Sequence, residues 1–152
     1  KSDGLDITEL FCSQLGILDK YSPTTALLFI RFGKGQACNH SRKQCYSVYV
    51  LHGSGGGRKE GAKAIRLADM ASIIDCDVYI HSHTHLPMIM KQAYHRINYQ
   101  NSNVALVNKL FVNTAANLDY GGYGEAQEFK PSSKDAPVIY LNGIYKSAEA
   151  RL

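Results

Sequence analysis

Short apolar runs alternate with polar segments along the first third of the chain, and their spacing predicts a helix followed by a β-hairpin. The helix is expected in residues 3–17, with Asp6 or Thr8 as its cap, because apolar side chains recur there at helical spacing. That apolar stripe consists of Leu10, Phe11, Leu15 and Ile17. Residues 26–33 and 45–51 read as strands on either side of a polar loop, so we expect them to form the hairpin.

The middle of the chain predicts a β-α-β unit. Strand 45–51 is followed by a glycine-rich loop and then, from about Arg58 to Ile74, by an amphipathic helical pattern. A second strand, residues 77–80, completes a unit of about thirty residues, in which the crossover helix makes the two strands parallel.

The last third of the chain predicts mainly antiparallel strands. Strand-like runs occupy residues 88–99, 104–114 and 137–145, with turns expected at 100–103 and at Asn142-Gly143. Together with the earlier elements, this order predicts one domain with an α/β sandwich architecture.

Histidines follow both strands of the β-α-β unit. His52 follows the first strand, and His83 and His85 follow the second. Because parallel strands end at the same edge of a sheet, we expect these three imidazoles to meet. Imidazole is the commonest ligand of divalent transition metals, so the three residues are predicted metal ligands, the alternative being chance histidines on a strand. For His81, still within the strand, we expect a buried structural role, with metal binding as the alternative.

The glycine-rich loop "HGSGGGRKEG" matches neither a Walker motif nor GxGxxG. Its cations, Arg58 and Lys59, are predicted either to bind a substrate phosphate by charge or to be ordinary solvated side chains. A weaker rival metal cluster could be drawn from other residues, although their spacing matches no zinc motif. That cluster consists of Cys38, His40, Cys45 and His95.

Composition adds a few limits to this interpretation. The 152 residues, 45% of them hydrophobic, are enough to bury a core. The net charge of +4 is a mild positive bias that suits anionic ligands but is too small to identify a nucleic-acid binder. The four cysteines form no CxxC pair, so we expect reduced thiols. No apolar stretch is long enough to cross a bilayer and no secretory signal is visible, so we expect no membrane span and a cytoplasmic location.

His52-Gly53 after one strand and Ser82-His83-Thr84-His85 after the next resemble the metal-binding motifs of the calcineurin-like metallophosphoesterase family. The segments "FVNTAANLDYGGYGE" and "KPSSKDAPVIYL" also resemble the C-terminal portion of bacterial and phage members. The resemblance implies that residues 1–152 form the C-terminal half of such a domain. The complete domain would be a four-layer α/β/β/α sandwich with mixed sheets.

The same resemblance implies a hydrolase that cleaves a phosphomonoester or phosphodiester with metal-bound hydroxide. Because of the mild positive charge, the candidate substrates are a nucleotide or a nucleic-acid end, and a small phosphoester is the alternative. Two divalent transition-metal ions (Mn, Fe or Zn) would be its cofactors. His52 and His83 would bind one ion and His85 the other. The alternative is a non-catalytic module that binds a metal or a nucleic acid.

Two departures from the family pattern affect the expected activity. Ser82 stands where the family commonly has glycine, which could distort the ligand loop if a positive φ is needed there. The aspartate motifs that precede this region in the family are absent from the sequence, and two neighbouring cations need a bridging anion to offset their repulsion. We therefore expect poor turnover by this chain alone, and association through an exposed sheet edge or with a missing N-terminal segment.

Overall fold

A five-stranded mixed sheet forms the centre of the computed structural model, which describes residues 6–33, 44–54, 59–116, 121–126, 128 and 130–152. Its strand order is β1-β2-β3-β5-β4. These strands are β1 (Thr25–Arg31), β2 (Cys45–Leu51), β3 (Val78–His81), β4 (Met88–Asn98) and β5 (Asn103–Asn113). A second, two-stranded sheet contains β6 (Val138–Leu141) and β7 (Ala148–Arg151). The described helices are α1 (Ile7–Gln14), α2 (Glu60–Ile73) and α3 (Tyr123–Ala126), with a 3-10 turn at Leu18–Lys20.

The predicted hairpin and β-α-β unit are both confirmed. Strands β1 and β2 pair antiparallel, whereas β2 and β3 pair in parallel on either side of α2 in the sequence. Helix α2 begins at Glu60 and ends at Ile73, and Arg58, where it was predicted to begin, lies outside the described residues.

Helix α1 begins at the predicted place because Asp6 caps it. The Asp6 carboxylate accepts hydrogen bonds from the backbone N–H groups of Thr8 (2.8 Å) and Glu9 (3.1 Å), which have no partner within the helix. Thr8, the other candidate cap, lies inside the first turn. The apolar side chains of this helix remain largely exposed, Phe11 by 58%, so α1 adds little to the core.

Different elements cover the two faces of the central sheet. Helix α2 packs on one face, whose buried cluster consists of Leu67, Met70, Cys76, Tyr79 and Phe111. Strands β6 and β7 pack on the other face, against a cluster of Val48, Val78, Leu110 and Val112. The α/β class and the mixed sheet are thus confirmed, and the complete four-layer sandwich stays a prediction.

The turn between β6 and β7 is fixed to the central sheet by the buried side chain of Tyr46. Its hydroxyl lies 2.6 Å from the carbonyl oxygen of Asn142, to which it can donate, and it accepts from the N–H of Ser147 at 2.9 Å. The predicted turn at Asn142-Gly143 is confirmed, but the strand predicted for 137–145 ends at Leu141. Strand β7 was not predicted.

No helix in the described part of the chain is long and apolar enough to span a membrane. Cys12, Cys45 and Cys76 are free thiols, as expected.

Candidate metal centre

The carboxyl ends of β2 and β3 lie side by side and bring together the three predicted ligands. Leu51 pairs with His81 in the parallel register, so His52 and His83 leave neighbouring strands at the same edge. Their ring centres are 5.3 Å apart, and those of His83 and His85 are 6.3 Å apart. All three imidazoles are exposed at this edge, so the predicted meeting of distant histidines is confirmed.

The turn that carries His83 and His85 has an unusual backbone conformation. Both residues adopt left-handed φ angles, 67° and 56°, which are costly for residues with a Cβ atom and persist only where surrounding contacts enforce them. Ser82, where a positive φ could have been required, has none. Instead its hydroxyl accepts a hydrogen bond from Thr114 Oγ1 at 3.0 Å. Serine at this position is therefore compatible with the turn.

Gly53, directly after His52, packs against the ring of His81. It has a φ of 83°, and a Cβ atom at this position would lie 2.3 Å from His81 Nε2. Both the backbone angle and the lack of space require glycine here. His81 is only 3% exposed and belongs to β3, which confirms the buried role expected for it.

A buried amide, which the sequence analysis missed, connects these turns. Asn113 ends β5, is 2% exposed and lies opposite His81 in the parallel register of β3 and β5. Its side chain contacts His81 Nδ1 at 3.0 Å, Thr84 Oγ1 at 2.7 Å and the carbonyl oxygen of Leu86 at 2.5 Å. The available sequence signal was an asparagine at the carboxyl end of an apolar strand, but that signal does not reveal which strand is its neighbour.

Electrostatics at this edge favour the neutral imidazole at His85. Burial lowers the pKa of His85 below its usual value, and the neighbouring His83, Lys63 and His52 lower it further. Only the neutral imidazole offers a lone pair to a metal ion. His85 is therefore suited to metal binding at neutral pH.

The spacing of the rings fits one pair of histidines to a shared ion. Metal–nitrogen distances of about 2.0–2.1 Å place the ring centres of two imidazoles on one tetrahedral ion roughly 5 Å apart. The spacing between His52 and His83 matches this value, and that between His83 and His85 is wider. Across the described residues, no group of three or more His, Cys, Asp or Glu side chains is arranged to hold an ion. The ring spacing is compatible with one ion shared by His52 and His83, with His85 beside them.

A cleft of about 460 Å³ adjoins His52, and its polar lining also includes His81, Arg66 and Asp69. His83 and His85 do not line it. Arg66, on α2, donates a hydrogen bond to the backbone carbonyl of Ser54, close to His52 in the chain. It is a cation near the candidate site that the sequence analysis did not select. Of the two selected cations, Lys59 is exposed directly before α2, and Arg58 lies outside the described residues.

The two described members of the rival cluster, Cys45 and His95, lie far apart. Cys45 lies on β2 and His95 on β4, with β3 and β5 between them, so about 14 Å of sheet separates the two strands. Cys38 and His40 lie outside the described residues.

No protein-family model matches the chain, and no curated protein or solved structure was found to be similar to it. The resemblance to calcineurin-like metallophosphoesterases therefore rests on the motifs of this sequence and stays a prediction.

Proposed function

We propose that this chain is the metal-binding, C-terminal part of a metal-dependent phosphoesterase. The observation that carries the proposal is the meeting of His52, His83 and His85 at the carboxyl edge of two parallel strands. Ligand sites of α/β sheets are found at such edges, and imidazole is a common ligand of transition metals. The cleft beside His52 offers space for a substrate at this edge.

In this proposal His52 and His83 hold one divalent ion and His85 a second. Bound ions would polarise a phosphomonoester or phosphodiester and supply a hydroxide nucleophile at neutral pH. The chain itself contributes rigid strand ends that position the rings and cations that attract the anionic substrate. We assign substrate attraction to Arg58 and Lys59, as the sequence suggests, and add Arg66 because it lines the cleft with His52.

The proposal also includes a bridging carboxylate that is not supplied by His52, His83 or His85. Three neutral imidazoles do not offset the mutual repulsion of two dications, so a bridging anion is needed. We propose that another segment or chain supplies it and, in doing so, completes the four-layer sandwich. The exposed apolar residues of β1, including Phe29 (60% exposed) and Leu28, support a partner at that edge.

The non-catalytic alternative is a module that binds a nucleic acid through its cations. The observation that favours it is the absence, among the described residues, of any group of three or more His, Cys, Asp or Glu side chains arranged to hold a metal ion. It predicts binding to DNA that weakens with salt and does not depend on metal.

A titration of metal-free protein with Zn²⁺ or Mn²⁺ tests the proposal, with His52→Ala as the variant and His95→Ala as the control. His95 lies on β4, away from the three ligands, so its loss removes an imidazole without affecting the site. We expect His52→Ala to weaken metal affinity by at least about 100-fold, since a direct ligand matters more than an outer-shell partner, and His95→Ala to leave it unchanged.

The phosphatase assay uses a generic aryl phosphate and the wild-type chain. We expect poor turnover that rises when a carboxylate-bearing partner segment is added. Metal uptake or turnover that survives the combined His52→Ala and His85→Ala substitutions would contradict the site assignment. Salt-sensitive, metal-independent DNA binding without metal uptake would instead support the binding module.

A further inference from the structure

We propose that Asn113 is a positioning residue. It fixes the turn after β2, which carries His52, relative to the turn after β3, which carries His83 and His85. This inference rests on the proposed function, because it concerns how the metal-binding histidines are arranged. Asn113 is not a ligand itself. It lies at the end of β5 and contacts His81 of β3 and the turn that carries His83 and His85.

The hydrogen-bond partners of Asn113 determine the orientation of its amide. The carbonyl oxygen of Leu86 can only accept a hydrogen bond, so the amide nitrogen must face it, and the same nitrogen donates to Thr84 Oγ1. The amide oxygen then faces His81 Nδ1, which must donate to it. His81 is therefore held with a proton on Nδ1, and its Nε2 is directed toward Gly53.

These contacts tie Asn113 to both sides of the candidate centre. On one side, Thr84 and Leu86 flank His85, and their bonds to the amide restrain the turn with the left-handed φ angles. On the other side, the ring of His81 fills the space beside Gly53 and so restrains the residue that follows His52. One buried side chain thereby sets the spacing between His52 and His83.

Asparagine suits this position by the number and type of its hydrogen bonds. The site requires two donated bonds and one accepted bond in a space that excludes water. Aspartate lacks the donors, and an apolar residue lacks all three bonds. Removal of the Asn113 amide would leave the Leu86 carbonyl and His81 Nδ1 without this partner, and the left-handed turn would relax.

The experiment measures Zn²⁺ affinity and the free energy of unfolding of the metal-free chain in Asn113→Ala and Thr84→Val. The matched control is Tyr46→Phe, which removes the hydroxyl of a different buried hydrogen-bond network, distant from the histidines. We expect Asn113→Ala to weaken Zn²⁺ binding by about 10- to 100-fold, as outer-shell partners do, and Thr84→Val to weaken it less. Tyr46→Phe should lower stability and leave Zn²⁺ affinity unchanged.

The imidazole nitrogen resonances of His81 give a second measurement. We expect the form protonated on Nδ1 in the wild type and loss of this preference in Asn113→Ala. Should Asn113→Ala fail to fold, weaker Zn²⁺ binding by folded Thr84→Val supports the inference, and unchanged binding contradicts it.

The two proposals fail in different ways. Absence of Zn²⁺ binding by the wild-type chain would overturn the proposed function and, with it, this inference. Wild-type binding that Asn113→Ala leaves unchanged would overturn only the positioning role. An equal loss of affinity in Tyr46→Phe would also overturn it, because general destabilisation would then explain the effect.

Discussion

Backbone angles that are rare for most residues are concentrated at the candidate centre. His83 and His85 adopt left-handed conformations, and Gly53 combines a positive φ with direct packing against His81. Such conformations cost on the order of 1–2 kcal/mol for a residue with a Cβ atom, so the surrounding contacts must enforce them. Strain localised in this way is typical of functional sites, where side-chain direction matters more than local backbone energy.

Gly53→Ala should destabilise the chain, and Gly61→Ala is its matched control. At Gly53 the new methyl group would meet the ring of His81, and the left-handed φ adds a further cost, so we expect a loss of at least about 2 kcal/mol. Gly61 lies in α2 with open space around it, where alanine should add roughly 0.5–1 kcal/mol of stability. Urea denaturation measures both, and equal effects would contradict this account.

Helix α2 and strands β4 and β5 are joined by an ion cluster at the end of the sheet opposite the histidines. Asp75, just after α2, lies 2.9 Å from the buried ammonium of Lys109 on β5 and accepts from Arg96 on β4 at 2.6 and 2.7 Å. The hydrogen bond from Lys109 lowers the pKa of Asp75, with a further contribution from Arg96. Burial lowers the pKa of Lys109, but hydrogen bonds to Asp75 and Tyr79 outweigh it, and the pKa is raised overall.

This cluster predicts a defined dependence of stability on pH. Because the folded-state pKa of Asp75 lies below 3.8, its stabilisation is complete above about pH 4 and is lost as the pH falls through the folded value. For Lys109, the stabilisation is complete below about pH 10 and is lost as the pH rises through its raised pKa.

Asp75→Asn should cost about 1–2 kcal/mol at pH 7, a range that allows for the 59% exposure of the carboxylate. The difference from wild type should shrink below pH 4. The control is Asp19→Asn, which removes a largely exposed pair with Lys20 and should change stability by less than about 0.5 kcal/mol. Unfolding free energies measured across the acid range test this, and a difference that grows toward low pH would contradict it.

Large apolar side chains are exposed at several places on the described part of the chain. Strand β1 is an edge strand in the described sheet, and its apolar side chains are exposed on both faces. Further exposed apolar residues lie on α1 and at the far end of the β4–β5 hairpin, among them Phe11, Ile97, Val104 and Leu106. An open edge beside exposed apolar side chains favours association with another polypeptide.

Phe29→Lys should weaken the proposed association at the β1 edge, and Ile65→Lys is the matched control. Phe29 lies on the β1 edge and is 60% exposed, whereas Ile65 is similarly exposed on α2, away from the edge. Loss of a buried phenylalanine contact should reduce the association constant by roughly 10- to 100-fold. Sedimentation equilibrium of the chain, alone and with a candidate partner, measures this. An equal effect of the two substitutions would exclude β1 as the interface.

The amino-acid sequence was sufficient for those features that depend on nearby residues. The start of helix α1, the β1–β2 hairpin, helix α2 and the parallel pairing of β2 with β3 all follow from short-range periodicity and connection length. The meeting of His52 with His83 follows from the same pairing, because parallel strands joined by one helix end at one edge.

The placement of β5 beside β3, with β4 at the edge, depended on the tertiary structure, as did the use of β6 and β7 to cover one face. That placement brings Asn113 into contact with the turn that carries His83 and His85 and helps to hold their left-handed angles. Local patterns specify which side of an element is buried. The neighbour that buries it is chosen by packing between segments far apart in the chain, and no short stretch of sequence records that choice.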